Sequence, residues 1–98
     1  MDIDKFNKLK DSVQSYNEDQ KTNYKALKIV KQCYKLYQSA CVDKAKEIGA
    51  DKELTYIFSY FVDQLAQMAK VLKENDDYYP PEIDFDGIYV FLDRINAL

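Results

Sequence analysis

The sequence predicts an all-α protein, an antiparallel bundle of four helices with a short last helix, and three observations lead to that prediction. Only 2 Gly and 2 Pro stand among 98 residues, which leaves few positions for the tight turns of a β-sandwich or small barrel. Hydrophobic residues make up 47% of the chain, enough for a modest core. Apolar residues recur every three or four positions, the period of a helix. We therefore expect residues 1–98 to form a single helical-bundle domain.

The first helix is predicted over about residues 2–16. Asp2 and Asp4 suit the positive end of its dipole. Residues 17–23 are polar on every side and predict a break before the second helix. If they were instead a solvated section of one long helix, the bundle would have three helices. The apolar positions of the first helix are Ile3, Phe6, Leu9, Val13 and Tyr16.

The second helix is predicted over about residues 22–48, with two adjacent apolar stripes that together make a wide apolar face. Gly49 predicts its end, and Asp51 predicts the N-cap of the next helix. Because the connection is so short, the two helices should be antiparallel neighbours. One stripe is Leu27, Val30, Tyr34, Tyr37, Cys41 and Ile48, and the other is Ala26, Ile29, Cys33, Leu36 and Ala40.

The third helix is predicted over about residues 52–74 from an apolar seam with alternating spacings of four and three. Residues 55–62 have strand propensity, but the seam continues beyond them, which favours helix. Pro80 and Pro81 then predict an extended crossing. A short last helix follows over about residues 84–97, with Phe85, Ile88, Leu92 and Ile95 as its apolar positions. The seam of the third helix is Leu54, Phe58, Phe61, Leu65, Met68 and Leu72.

The residue types present argue against catalysis. The chain has no His, no G-x-S-x-G elbow and no Gly-rich phosphate loop. Cys33 and Cys41 lie too far apart on one helix to pair and occupy apolar stripes, so we expect them to pack as small reduced hydrophobes. We therefore predict that the protein is not an enzyme and binds no cofactor. We also predict a cytoplasmic location, since the cysteines are expected to be reduced and neither a signal core nor a membrane-length apolar run is visible.

One segment, residues 82–93, resembles the calcium-binding loop of EF-hand proteins. Acids stand at its first, third, fifth and twelfth positions, and Gly87 at its sixth. Glu82 replaces the family's usual first Asp, Asp93 replaces its closing Glu, and Pro80-Pro81 precludes the entering helix. The other interpretation, which we prefer, is that Asp84 or Asp86 caps the last helix and that no metal binds.

Six lysines predict a basic face on the second helix, within an arc of about 120° that we expect to hold no acid. Residues 1–52 carry 11 Lys against 8 acids, whereas residues 53–98 carry 3 basic residues against 9 acids. Three interpretations stay open: solvation, pairing with the chain's own acids between Glu74 and Asp86, or binding of a polyanion such as nucleic acid. The six lysines are Lys21, Lys25, Lys28, Lys31, Lys35 and Lys46.

Tyrosines are abundant, with 9 in the chain, and several fall off the predicted seams. Tyr56 and Tyr60 should lie near the surface, as should Tyr78 and Tyr79, which are flanked by acids. Tyrosine anchors interfaces well because it buries a large area at low entropic cost. We therefore predict a contact surface for a basic protein partner, made of Glu74, Asp76, Asp77, Tyr78, Tyr79, Glu82 and Asp84.

These observations together predict a small cytosolic, non-enzymatic protein-binding module of the inhibitor, immunity, antitoxin or adaptor type. Immunity proteins of bacteria or phages are often helical bundles of this size, so the chain is similar to them in size and class. Two alternatives remain. In one, the lysines bind nucleic acid or another polyanion. In the other, the wide second helix completes its core across a homodimer, and the protein is a self-assembling structural subunit.

Overall fold

The computed structural model describes residues 3–18, 22–74 and 86–98, and these residues form four helices with no strand among them. Helix α1 spans Ile3–Glu18, α2 spans Asn23–Ile48, α3 spans Lys52–Glu74 and α4 spans Asp86–Asn96. The predicted all-α four-helix bundle is confirmed. The observed ends lie within two residues of the predicted ends.

Helices α1 and α2 are separate, so the three-helix alternative is wrong. Thr22 has an extended backbone, with φ −110° and ψ 155°, and its side chain accepts a hydrogen bond from the backbone N–H of Lys25. A threonine in this position satisfies one of the N–H groups that a new helix leaves without a partner. Helix α1 packs against α2 and buries Leu9, Val13 and Tyr16 in the shared core.

Helices α2 and α3 form a helical hairpin whose turn is only residues 49–51. Gly49 ends α2 with φ 79° and ψ −170°, a conformation open in practice to glycine alone. Asp51 begins α3, because its Oδ1 accepts hydrogen bonds from the N–H groups of Glu53 and Leu54. At the other end, the Asn23 side chain donates to the carbonyl of Leu72 at 3.2 Å. These two helices therefore run in opposite directions; for the bundle as a whole, the antiparallel arrangement stays a prediction.

The core is one continuous cluster to which all four helices contribute. Helix α2 contacts each of the other three helices. Near the centre, the Phe91 ring of α4 lies 4.1 Å from the Tyr37 ring and 5.2 Å from the Phe61 ring, centroid to centroid. The buried residues are Leu9, Val13, Tyr16, Ala26, Ile29, Val30, Cys33, Leu36, Tyr37, Ala40, Leu54, Ile57, Phe61, Leu72, Ile88, Phe91 and Ile95.

Four of the predicted apolar positions, Ile3, Tyr34, Ile48 and Met68, are exposed rather than buried. Conversely, Ile57 and Phe91, which the predicted apolar positions omit, are buried. Met68, on α3, is 47% exposed. Helix α4 has 11 residues and α3 has 23, so α4 can pack along only part of α3. Tyr34 and Ile48 are exposed because the other stripe, from Ala26 to Ala40, faces the centre of the bundle and is buried throughout. The wide apolar face of α2 is thus largely covered within the chain.

Candidate functional site

The outer side of α3 carries a continuous row of exposed side chains that we call the tyrosine face. At 100° per residue its seven members fall within an arc of about 80° that excludes every buried residue of α3, and they extend for about 30 Å along the helix. Every member is exposed. No Lys or Arg lies inside the arc, although Lys52 and Lys70 border it. The members are Glu53, Tyr56, Tyr60, Asp63, Gln67, Val71 and Glu74.

Two tyrosines one turn apart are the aromatic members of this face. Tyr56 is 61% exposed and Tyr60 46% exposed, which confirms the predicted surface position of both. Their rings stack with centroids 6.5 Å apart and an interplanar angle of 24°. The Tyr60 ring also meets the edge of the buried Phe61 ring at 5.4 Å. Tyr60 therefore contacts both the Phe61 ring and the Tyr56 ring, and these contacts restrict its side chain.

Of the predicted partner-contact residues, Glu74 is the one that the structure describes. It is exposed at the last position of α3 and belongs to the tyrosine face. The remaining members, Asp76, Asp77, Tyr78, Tyr79, Glu82 and Asp84, lie outside the described residues. The sequence predicted Tyr56 and Tyr60 at the surface but did not include them in the contact surface. Their spacing of four residues, off the apolar seam, indicates that both lie on the same side of α3.

The lysine face of α2, defined as Lys25, Lys28, Lys31, Lys35 and Lys46, is exposed throughout; the sixth predicted member, Lys21, lies outside the described residues. The Lys28 ammonium lies 5.5 Å from the ring centroid of Tyr24, a cation–π distance, and Tyr24 is 70% exposed. The expectation that this face holds no acid is wrong at its far end, because Asp43 lies at the edge of the arc within one turn of Lys46. Residues 22–42 contain no acid.

The lysines nearer the start of α2 have no charge partner in the described part of the chain. Lys44, near the other end of α2, makes an ion pair with Glu47 at 3.5 Å. By contrast, Lys25, Lys28, Lys31 and Lys35 make no ion pair with any described carboxylate. Pairing with Asp76, Asp77, Glu82 or Asp84 involves residues outside the described ranges and stays a prediction.

Two of the four acids in the calcium-loop pattern can be placed. Asp86 is the first residue of α4, and Asp93 follows it on the same helix, about 10 Å further along the axis. Gly87 is helical and not in a sharp turn. The carboxylates of Asp86 and Asp93 therefore do not converge as ligands of one ion would, while Glu82 and Asp84 lie outside the described residues. Among the residues that are described, no three potential ligands cluster closely enough to hold a metal ion.

The two cysteines contribute to packing. Cys33 is buried, and burial raises the pKa of its thiol to about 12. Cys41 is half-buried, and the same cause raises the pKa of its thiol to about 11. Both thiols are therefore protonated at neutral pH, whereas a nucleophilic cysteine needs its pKa lowered.

In the part of the chain that is described, no helix combines the length and the apolar character that a membrane span needs. Comparisons with protein-family models, with curated proteins and with solved structures find no match to this chain. The hairpin presents two exposed faces of different character: the tyrosine face of α3 and the lysine face of α2.

Proposed function

We propose that this chain is a cytoplasmic, non-enzymatic module of the inhibitor, immunity, antitoxin or adaptor type, which binds another protein through an acidic, tyrosine-bearing surface. The observation that supports the proposal most is the stacked, exposed pair Tyr56 and Tyr60 on the outer side of α3. Half-exposed aromatic rings add only part of their area to the stability of a monomer, whereas tyrosines anchor many protein interfaces.

The pre-ordered rings explain how this surface could bind tightly. A partner that covers Tyr60 buries a ring already restrained by Phe61 and Tyr56. The entropy lost on binding is then smaller than for a flexible side chain. Each ring also has a hydroxyl that can keep a hydrogen bond within the interface. Truncating a tyrosine that anchors an interface in this way costs about 2 kcal/mol or more.

The charges around the tyrosines select the kind of partner. Glu53, Asp63 and Glu74 lie on the same face as the two rings. Such a surface suits a partner with basic side chains, since opposite charges steer the encounter and disfavour acidic competitors. We include in the proposed contact surface Asp76, Asp77, Tyr78, Tyr79, Glu82 and Asp84, which follow Glu74 in the sequence.

Affinity capture with matched variants tests the proposal. Tagged wild-type protein, the double variant Tyr56→Ala/Tyr60→Ala and the control Tyr24→Ala would each be incubated with native lysate, with and without nuclease. We expect one basic protein to be recovered by the wild type and by the control, to be unaffected by nuclease, and to be lost with the double variant. Equal recovery by all three proteins would remove the tyrosine face from consideration.

A second candidate function is the binding of a polyanion by the lysine face. It is favoured by the four lysines that make no ion pair with a described carboxylate, and by the absence of acids from residues 22–42. If this face binds nucleic acid, affinity for a short RNA oligonucleotide should fall steeply with salt, with a slope of about 0.7 per phosphate contacted. Affinity that does not change with salt, or that survives Lys28→Ala/Lys31→Ala, would contradict this function.

A further inference from the structure

A series of aromatic contacts runs from the core of the bundle to its surface and ends at Tyr56. At the buried end, the Phe91 and Phe61 ring centroids lie 5.2 Å apart. The Tyr60 ring lies 5.4 Å from Phe61, and the Tyr56 ring stacks on Tyr60 at 6.5 Å. Tyr56 is thus the outermost ring of the series and is exposed. A ring at the end of a stack keeps one face that no neighbouring ring covers.

The outer face of the Tyr56 ring meets no further ring and no cation among the described residues. Tyr24 on α2, which is also exposed, differs because the Lys28 ammonium lies over its ring at 5.5 Å. Both contacts join residues four positions apart, so the same helical spacing places a cation on Tyr24 and a second ring on Tyr56. The electron-rich outer face of Tyr56 is therefore open to a cation from another molecule.

Glu53 places a negative charge beside this ring. It lies three positions before Tyr56 on the same side of α3, and its carboxylate makes no ion pair with a described Lys or Arg. Lys52 borders the tyrosine face, but the charged members of the face itself are all acids. An exposed ring beside such a carboxylate favours a ligand that is both flat and positively charged.

Arginine combines the two properties that this site requires. Its guanidinium is planar and stacks on an aromatic ring, and the N–H groups at its edge stay available for a carboxylate. A lysine ammonium is a compact, strongly hydrated charge without a flat surface. Arginine is also, with tyrosine and tryptophan, among the residues that contribute most of the binding energy where two proteins meet.

We propose that the partner is anchored on the tyrosine face by an arginine, a role that rests on the protein-binding function proposed above. The guanidinium stacks on the outer face of the Tyr56 ring, and its N–H groups donate to the Glu53 carboxylate. A partner surface that presents lysine at this position binds more weakly, because lysine gives the charge without the stacking.

Titration of the full-length protein with two matched peptides tests this proposal. The peptides share a glycine–serine background and differ only in their basic residues, which are all arginine in one peptide and all lysine in the other. At low ionic strength, we expect the arginine peptide to shift the NMR amide signals of Glu53 and Tyr56 and to bind about threefold more tightly than the lysine peptide. Equal affinities for the two peptides would overturn the proposal.

Variants at two tyrosines locate the preference for arginine. Tyr56→Leu should abolish the preference, whereas Tyr56→Phe, which keeps the ring, should retain it. Tyr24→Leu is the matched control and should leave the preference unchanged, since Lys28 already lies over that ring. Glu53→Gln should weaken binding of the arginine peptide about threefold. A preference that survives Tyr56→Leu, or that disappears with Tyr24→Leu, would show that the arginine binds elsewhere.

The peptides require no native partner, so this test and the affinity capture can fail separately. If a basic protein is captured through Tyr56 and Tyr60 while the two peptides bind equally, the arginine anchor is wrong and the proposed function remains. If the arginine peptide binds preferentially at Tyr56 while capture does not depend on the two tyrosines, the arginine site is supported and the proposed function is wrong.

Discussion

The two long helices of the hairpin bury different numbers of residues. Helix α2 has seven buried residues between Ala26 and Ala40, while α3 has four spread between Leu54 and Leu72. The cause is position: α2 contacts three helices, and α3 contacts α2 and the short α4. Helix α2 therefore contributes more buried residues than any other helix, and α3 has a long outer side available for other molecules. Stability and binding should accordingly respond to different substitutions.

The largest expected loss of stability follows from a substitution on the buried side of α2. Leu36 is fully buried, so Leu36→Ala should lower the free energy of unfolding by about 2–5 kcal/mol. Met68, on α3, is 47% exposed, and Met68→Ala should change the free energy of unfolding by no more than about 0.5 kcal/mol. Urea denaturation followed by circular dichroism measures both. Equal losses for the two variants would show that α3 is packed as fully as α2.

The next largest loss of stability is expected from a substitution in the turn that joins α2 and α3. Gly49 has φ 79° and ψ −170°, so Gly49→Ala should cost about 1–3 kcal/mol even though an added Cβ would meet no atom within 4 Å. Gly87 is the matched control, because it also has open space around it but lies in α4 with φ outside the positive range. Gly87→Ala should be neutral or stabilising by up to about 1 kcal/mol. Thermal unfolding of both variants distinguishes backbone strain from crowding.

The burial of Cys33 on α2 should also make the stability of the unsubstituted protein fall at alkaline pH. The Cys33 thiol has its pKa raised from 9.0 to about 12 by burial, so above pH 9 the unfolded chain loses this proton while the folded protein keeps it. Stability should therefore fall from pH 9 towards pH 12, by about 1.4 kcal/mol per pH unit for this thiol. Cys41 adds to the loss up to about pH 11. Burial, and then the charge of Cys33, also raise the pKa of Tyr37, which extends the decline to higher pH.

The measurement is the free energy of unfolding at pH 8, 9 and 10 for the wild type and for Cys33→Ala. The variant starts from a lower stability because it leaves a small cavity, but its decline with pH should be shallower, by about half a proton at pH 9 and by nearly one proton at pH 10. Parallel declines for the two proteins would contradict the assignment of the buried thiol.

A smaller effect is expected at the start of α3. The Asp51 carboxylate accepts two backbone hydrogen bonds, at 2.8 and 3.1 Å. Asp51→Ala should therefore lower the free energy of unfolding by about 1 kcal/mol, and Asp51→Asn, which keeps an acceptor oxygen, should lower it less. Chemical denaturation at pH 7 compares the two variants. A loss as large for Asn as for Ala would mean that the charge, and not the acceptor, stabilises this end of the helix.

Much of the fold was predictable because its signals are local. Gly49 and Asp51 determine the turn of the hairpin by their own backbone and side-chain chemistry. The stripe from Ala26 to Ala40 predicted the buried side of α2 correctly. Periodicity shows which side of a helix is apolar, but it does not show how far a neighbouring helix extends. For that reason Met68 was placed wrongly in the core.

The candidate sites were predictable to a smaller degree. The surface position of Tyr56 and Tyr60 followed from their place off the apolar seam, whereas the stacking of their rings required the structure.

The most direct test of the central claim, that the tyrosine face binds a protein, is site-specific photo-crosslinking in the native host. A photoreactive phenylalanine analogue would replace Tyr60 on α3 or, in a second protein, Tyr24 on α2, which is even more exposed. We predict one discrete adduct with a basic protein from position 60 and none from position 24. An adduct from position 24 alone, or none from either position while the protein remains folded, would contradict the proposed function.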